Sequence, residues 1–64
     1  MNRFYEGYMA ASLELEEASL DFPDKVSQIK WLKRSVETFT NDPPDNSFGE
    51  GFLQLFIEEL EMKL

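Results

Sequence analysis

The sequence predicts an all-α protein, a small antiparallel three-helix bundle. Apolar residues recur at spacings of three and four along three stretches, which is the period of an amphipathic helix. Breaks rich in proline, aspartate and asparagine separate the stretches at residues 21–24 and 41–46. Short connections favour antiparallel neighbours. The predicted helices span about 3–20, 23–40 and 48–62 of a single domain, residues 1–64. A helical hairpin completed by homodimerisation is the alternative.

The first predicted helix carries two apolar stripes, rotated from each other by roughly 100–140°. The first stripe is Phe4, Tyr8, Ala11, Leu15 and Ala18, and the second is Tyr5, Met9, Leu13 and Leu20. Together they cover a wider arc than one neighbouring helix would bury. Because each helix of a three-helix bundle meets two neighbours, burial within the bundle is one explanation of both stripes.

The second predicted helix follows a combined stop and start signal. Pro23 does not extend the first helix but is tolerated in the first turn of the next, which places Asp21 or Phe22 at the N-cap. The apolar face is predicted to be Phe22, Val26, Ile29, Leu32, Val36 and Phe39. At 100° per residue, Trp31 lies almost opposite the centre of that face. We therefore expect Trp31 to point outward.

The third predicted helix begins after the paired prolines. Ser47 and Glu50 match a capping box, with Ser47 at the N-cap. The core stripe is predicted to be Phe52, Leu53, Phe56, Ile57, Leu60 and Leu64, and a second ridge contains Phe48, Leu55 and Met62. Gly49 and Gly51 are expected to let the proline loop pack closely on this helix.

Charge is unevenly distributed along the chain, whose net charge is −7 from 13 acidic and 6 basic residues. Residues 1–21 carry −4, residues 22–40 carry +2, residues 41–51 carry −3 and residues 52–64 carry −2. This balance argues against direct binding of nucleic acid or an anionic membrane through a broad electrostatic footprint. The acidic–basic–acidic order suits a middle helix packed between two acidic ones, with internal charge pairing as the simplest explanation.

Several chemistries are excluded by residue types that the chain lacks. It has no cysteine and no histidine, so it forms no disulfide, thiolate zinc site or imidazole metal site. The usual general bases and nucleophiles are absent, and we expect neither an enzyme nor a cofactor. No apolar run approaches the roughly 20 residues of a membrane span. The expected location is the cytoplasm.

A chain of 64 residues is in the range where one core is only marginally sufficient. Small proteins close this gap with disulfides, metals or partners. The sequence excludes disulfides and the commonest kinds of metal site. We therefore expect oligomerisation or complex formation.

Two surfaces are predicted to bind a partner. The first is Trp31 with Lys30, Arg34 and Thr38, since tryptophan and arginine are enriched at interface hot spots. The alternative is that Trp31 lies beneath a terminus or the proline loop, or stacks on Arg34. The second is an acidic surface formed by Glu6, Glu14, Glu17, Glu58 and Glu61. Regularly spaced carboxylates can imitate duplex phosphates, although charged faces more often serve solubility.

A third set of residues is predicted to mediate self-association. These apolar residues exceed the needs of one core: Tyr5, Met9, Leu13, Phe48, Leu55 and Met62. They would close an isologous dimer, in which the same patch of both copies meets.

These observations predict a non-catalytic protein-binding module that modulates or inhibits a larger partner, including by occupying a basic nucleic-acid-binding surface. Small acidic inhibitors and immunity-type proteins of viruses or plasmids are of the same physical type. The alternative function is a self-associating structural or adaptor protein that forms a helical homodimer. Direct nucleic-acid binding is disfavoured, because the four cations of the second helix give only a small footprint.

Overall fold

The computed structural model describes residues 2–64, which form three α-helices joined by two short loops. Helix α1 spans Arg3–Asp21, α2 spans Lys25–Asn41 and α3 spans Ser47–Lys63. Trp31 contacts Phe56, whereas Phe39, further along α2, contacts the earlier residue Phe52. Helices α2 and α3 are therefore antiparallel, and the predicted all-α three-helix bundle is confirmed.

The N-cap of α2 is Asp24, not Asp21 or Phe22 as expected. The Asp24 carboxylate accepts a hydrogen bond from the backbone N–H of Ser27 at 2.9 Å. This bond lowers the pKa of Asp24. Pro23 precedes the cap and lies outside the helix. Aspartate is preferred here because its side chain satisfies an N–H group that has no partner within the helix.

The N-cap of α3 is Asn46, one residue before the expected Ser47. The Asn46 side-chain oxygen accepts a hydrogen bond from the backbone N–H of Gly49 at 2.8 Å. Glu50 is consequently four residues beyond the cap, and the reciprocal bond of a capping box is not formed. The proline loop packs closely on Gly49, as predicted, since a Cβ atom on this glycine would lie 2.4 Å from Pro44 Cβ.

The central element of the bundle is α3. Helix α1 packs extensively along α3, α2 packs on α3 over a smaller area, and α1 and α2 contact each other only slightly. The basic helix is therefore not held between two acidic ones, which corrects the order expected from charge. The buried core is Ala11, Leu32, Leu55 and Phe56, surrounded by the half-buried Tyr8, Leu15, Trp31, Val36, Phe39, Phe52 and Leu60.

Two glycines bring the backbones of α1 and α3 almost into contact. A Cβ atom on Gly7 would lie 1.8 Å from the carbonyl oxygen of Phe48, and one on Gly51 would lie 1.9 Å from that of Phe4. Both contacts join the N-terminal ends of the two helices, which pack extensively on each other, so α1 and α3 run in the same direction. The residues of this contact have the same sequence pattern in both helices, Phe-x-Glu-Gly, at residues 4–7 of α1 and 48–51 of α3. Gly51 thus packs on α1 and not on the proline loop.

Candidate functional site

An apolar ridge runs along the outer face of α1. It consists of Tyr5, Met9, Leu13 and Leu20, which are 60%, 48%, 61% and 84% exposed. Met9 lies about 160° around the helix from the buried Ala11, so this ridge faces away from α3. Burial within the bundle therefore does not account for the second stripe of the first helix. The second stripe stays exposed because α2 packs on α3 and hardly touches α1. We call these four residues the α1 ridge.

Acidic side chains surround the α1 ridge. Glu16 is exposed and lies between Tyr5 and Met9 on the helical wheel, while Glu6 and Glu17 border Leu13. Glu16 is not among the predicted acidic residues, although its spacing of three residues from Leu13 places it on the same stripe. The ridge is therefore an apolar surface set among carboxylates.

The five predicted acidic residues do not form one continuous surface. Glu58 accepts hydrogen bonds from the Tyr8 hydroxyl at 2.6 Å and from the Gln54 amide at 2.9 Å. These bonds lower the pKa of Glu58, and the bond to its carboxylate raises the pKa of Tyr8. Glu14 and Glu17 lie about 120° and 180° around α1 from Tyr8. Glu58 therefore belongs to the α1–α3 contact, whereas Glu14 and Glu17 lie elsewhere.

Glu6 and Glu61, the other two predicted acids, differ in their surroundings. Glu6 is half-buried and forms an ion pair with Arg3, and Glu61 is exposed near the end of α3.

Trp31 is half-buried and packs on the core, which corrects its predicted outward position. Its ring meets the ring of Phe56 edge-on, with centroids 5.2 Å apart and an interplanar angle of 77°. The buried side of α2 is turned toward Trp31, and Val26, which was expected to be buried, is 62% exposed. Aromatic partners on α3 account for this rotation, because an edge-to-face pair adds to the gain from burying both rings.

An open groove of about 370 Å³ lies beside Trp31 on the surface of α2. Its lining is Phe22, Ser27, Lys30, Trp31 and Arg34, which we call the α2 groove. Three of these residues, Lys30, Trp31 and Arg34, belong to the first predicted surface, whereas Phe22 was assigned to the core. Thr38, the fourth predicted member, does not line the groove, and its hydroxyl donates a hydrogen bond to the carbonyl oxygen of Arg34 at 3.0 Å.

Charge is not paired between the helices. Within residues 2–64, the ion pairs are Arg3–Glu6 and Lys63–Glu59, each inside one helix. None of the four cations of α2 takes part. Asp24 is near enough to Lys30 for that charge to contribute to its lowered pKa, but the two form no ion pair. The explanation by internal pairing is therefore wrong, and the four cations of α2 are exposed.

The second predicted self-association ridge does not form a surface. Phe48 is half-buried, with the Arg3 guanidinium 5.1 Å from its ring centroid. Leu55 is only 5% exposed and belongs to the core, because α3 is the central helix. Met62 is exposed near the end of α3. Of the residues predicted to mediate self-association, Tyr5, Met9 and Leu13 are exposed together on α1, and Met62 is distant from them along the chain.

The described part of the chain contains no group of three or more side chains suited to hold a metal ion. Between residues 2 and 64, no helix has both the length and the apolar character needed to cross a membrane. No protein-family model, curated protein or solved structure matches this chain. The surfaces themselves are therefore the basis for a functional proposal.

Proposed function

We propose that this protein is a small non-catalytic binding module that docks on a larger protein through the α1 ridge and modulates or inhibits it. The observation that carries the proposal is the position of four large apolar side chains on the face of α1 turned away from the core. Contiguous apolar side chains with a polar rim are typical of interaction sites. The rim here is acidic, which favours a basic partner.

The spacing of the ridge residues fits recognition of a helix face. Tyr5, Met9 and Leu13 recur every four residues, the pattern of anchors that a helix inserts into an apolar groove. The net charge of −7 speeds encounter with a positively charged surface and repels acidic ones. The partner surface should therefore be positively charged and contain an apolar groove. A basic nucleic-acid-binding surface with apolar pockets has both properties. Occupying such a surface would inhibit the partner by excluding its nucleic acid.

Affinity capture from host lysate tests the proposal with a ridge variant and a matched control. Met9→Ser/Leu13→Ser removes two ridge anchors, and Val26→Ser/Phe22→Ser removes two exposed apolar side chains outside the ridge. We expect the wild type and the control to retain a basic partner that elutes at moderate salt and is displaced by duplex DNA. The ridge variant should retain at least tenfold less. Equal retention by the two variants would contradict docking through the ridge.

Self-association is the second candidate function, and the unpaired opposite charges of α1 and α2 favour it. Pairing one α1 ridge with another would place the Glu16 and Glu17 carboxylates of both copies together, which is unfavourable. The isologous ridge-to-ridge dimer is therefore the less suitable arrangement.

A further inference from the structure

We infer that the α2 groove binds the α1 ridge of a second copy of this chain, so that self-association covers the surface that binds the partner. The inference rests on the proposed function, because it describes regulation of the same ridge. The α2 groove and the α1 ridge are two exposed surfaces of one chain whose chemistry is complementary.

The two surfaces match in both charge and polarity. The groove has aromatic walls, Phe22 and Trp31, and two cations, Lys30 and Arg34, that form no ion pair within residues 2–64. The ridge presents apolar side chains beside Glu16 and Glu17. Exposed charges act over about 8 Å at physiological ionic strength. Contacts at the interface are therefore screened less than the repulsion between distant charges of two chains of net charge −7.

The size of the groove determines what enters it. Its volume of about 370 Å³ is at the lower end of the range for ligand pockets, roughly 300–1,000 Å³. This space holds one or two side chains and not a whole helix. Met9 and Leu13 are adjacent anchors on the ridge, one helical turn apart, and Glu16 follows Leu13 on the same side. Their insertion would bring the carboxylate close to the cations of the groove.

The expected association is weak and depends on concentration. The chain exposes 4588 Å², and a standard interface covers about 800 Å² on each partner, roughly one sixth of that surface. One ridge in one groove covers less. At low concentration the ridge is consequently free for the partner, and at high concentration a second copy occupies it.

Sedimentation of the purified protein over a range of concentrations tests the inference. The groove variant is Lys30→Glu/Arg34→Glu, and the control Lys25→Glu/Lys33→Glu makes the same change of charge on α2 outside the groove. The ridge variant is Met9→Glu/Leu13→Glu. We expect the control to associate like the wild type and the other two variants to associate at least tenfold more weakly. Circular dichroism of each variant serves to check that it remains helical.

Mixing the two defective variants gives the sharper result. The groove variant keeps its ridge and the ridge variant keeps its groove, so an equimolar mixture should form a one-to-one complex. A wild type that stays monomeric up to millimolar concentration, a groove variant that associates normally, or a mixture that stays monomeric would each overturn the inference.

Partner capture separates this inference from the proposed function. The groove variant should capture the basic partner at least as well as the wild type, because its ridge is free. Capture by a wild type that does not self-associate would overturn the inference and leave the proposed function standing. Self-association as described, without capture of a basic partner, would overturn the proposed function and leave the contact between groove and ridge standing.

Discussion

At the residue scale, Gly7 and Gly51 set the distance between α1 and α3. Alanine normally stabilises a helix relative to glycine by up to about 1 kcal/mol. Here the added methyl group would meet a backbone carbonyl at 1.8 or 1.9 Å, so the helices must separate. We predict that Gly7→Ala or Gly51→Ala lowers the free energy of unfolding by about 1–3 kcal/mol or more, measured with urea.

Gly49→Ala is the comparison for these two variants. Its methyl group would meet Pro44 in the loop between α2 and α3, which can shift without moving a whole helix. The loss should be smaller than at either of the other glycines. An increase in stability on Gly7→Ala would contradict the close contact of α1 and α3.

The Tyr8–Glu58 hydrogen bond makes the α1–α3 contact sensitive to pH. The pKa of Glu58 is lower in the folded protein, so its contribution is present above the unfolded pKa, about 4.5, and is lost as pH falls through the folded value. We predict that Glu58→Gln is less stable than the wild type at pH 7 and that the difference disappears toward pH 3. Thermal unfolding between these values measures it.

Glu61→Gln is the control for the pH experiment. Glu61 is exposed and makes no hydrogen bond or ion pair within residues 2–64, so the difference from the wild type should stay small at every pH. At the alkaline end, the raised pKa of Tyr8 acts in the opposite direction. Its contribution is present below pH 10 and is lost as pH rises through the folded pKa.

At this scale, the sequence predicts those features that depend only on residues close to each other along the chain. Lys30, Trp31 and Arg34 were grouped from the sequence and line one groove, because residues three or four apart share a helix face. The predicted N-caps of α2 and α3 were wrong by one to three residues. Several adjacent residues can cap a helix, and the geometry of the loop decides which of them does. The close contact of Gly7 with Phe48 joins distant parts of the chain, and local periodicity carries no information about it.

At the scale of the elements, the three helices were predictable, but their buried faces were not. Periodicity and the two proline breaks fixed where helices form. Which stripe is buried depends on which helix is the neighbour. Val26 is exposed and Trp31 half-buried because α2 meets the aromatic residues of α3, and the α1 ridge is exposed because α2 does not cover it.

The unequal packing of the helices predicts unequal local stability. Helix α2 packs on α3 over a smaller area than α1 does, and has one fully buried residue, Leu32. We predict that amide hydrogens in the middle of α2 exchange faster than those in the middle of α1 and α3 under native conditions. Hydrogen exchange followed by NMR measures this. Equal protection in all three helices would mean that the bundle opens only as a unit.

At the scale of the whole molecule, the excess of negative charge is not offset by ion pairs between helices. Self-repulsion therefore opposes the compact state, and salt screens that repulsion. We predict that raising sodium chloride from about 10 to about 500 mM increases the melting temperature of dilute protein. A decrease would mean that attraction between charges outweighs repulsion in the folded chain. Measurement at several protein concentrations separates this effect from self-association.

The central position of α3 also has a consequence for the order of events in folding. When α1 and α2 have been synthesised, each still lacks the helix against which it buries its core residues. An α1–α2 hairpin has little apolar contact to offset the entropy of ordering its chain. Productive collapse must therefore wait until α3 is available, and the transition state should include distant contacts such as Gly7 with Phe48. Until then, a nascent chain on the ribosome presents apolar stripes to chaperones and proteases.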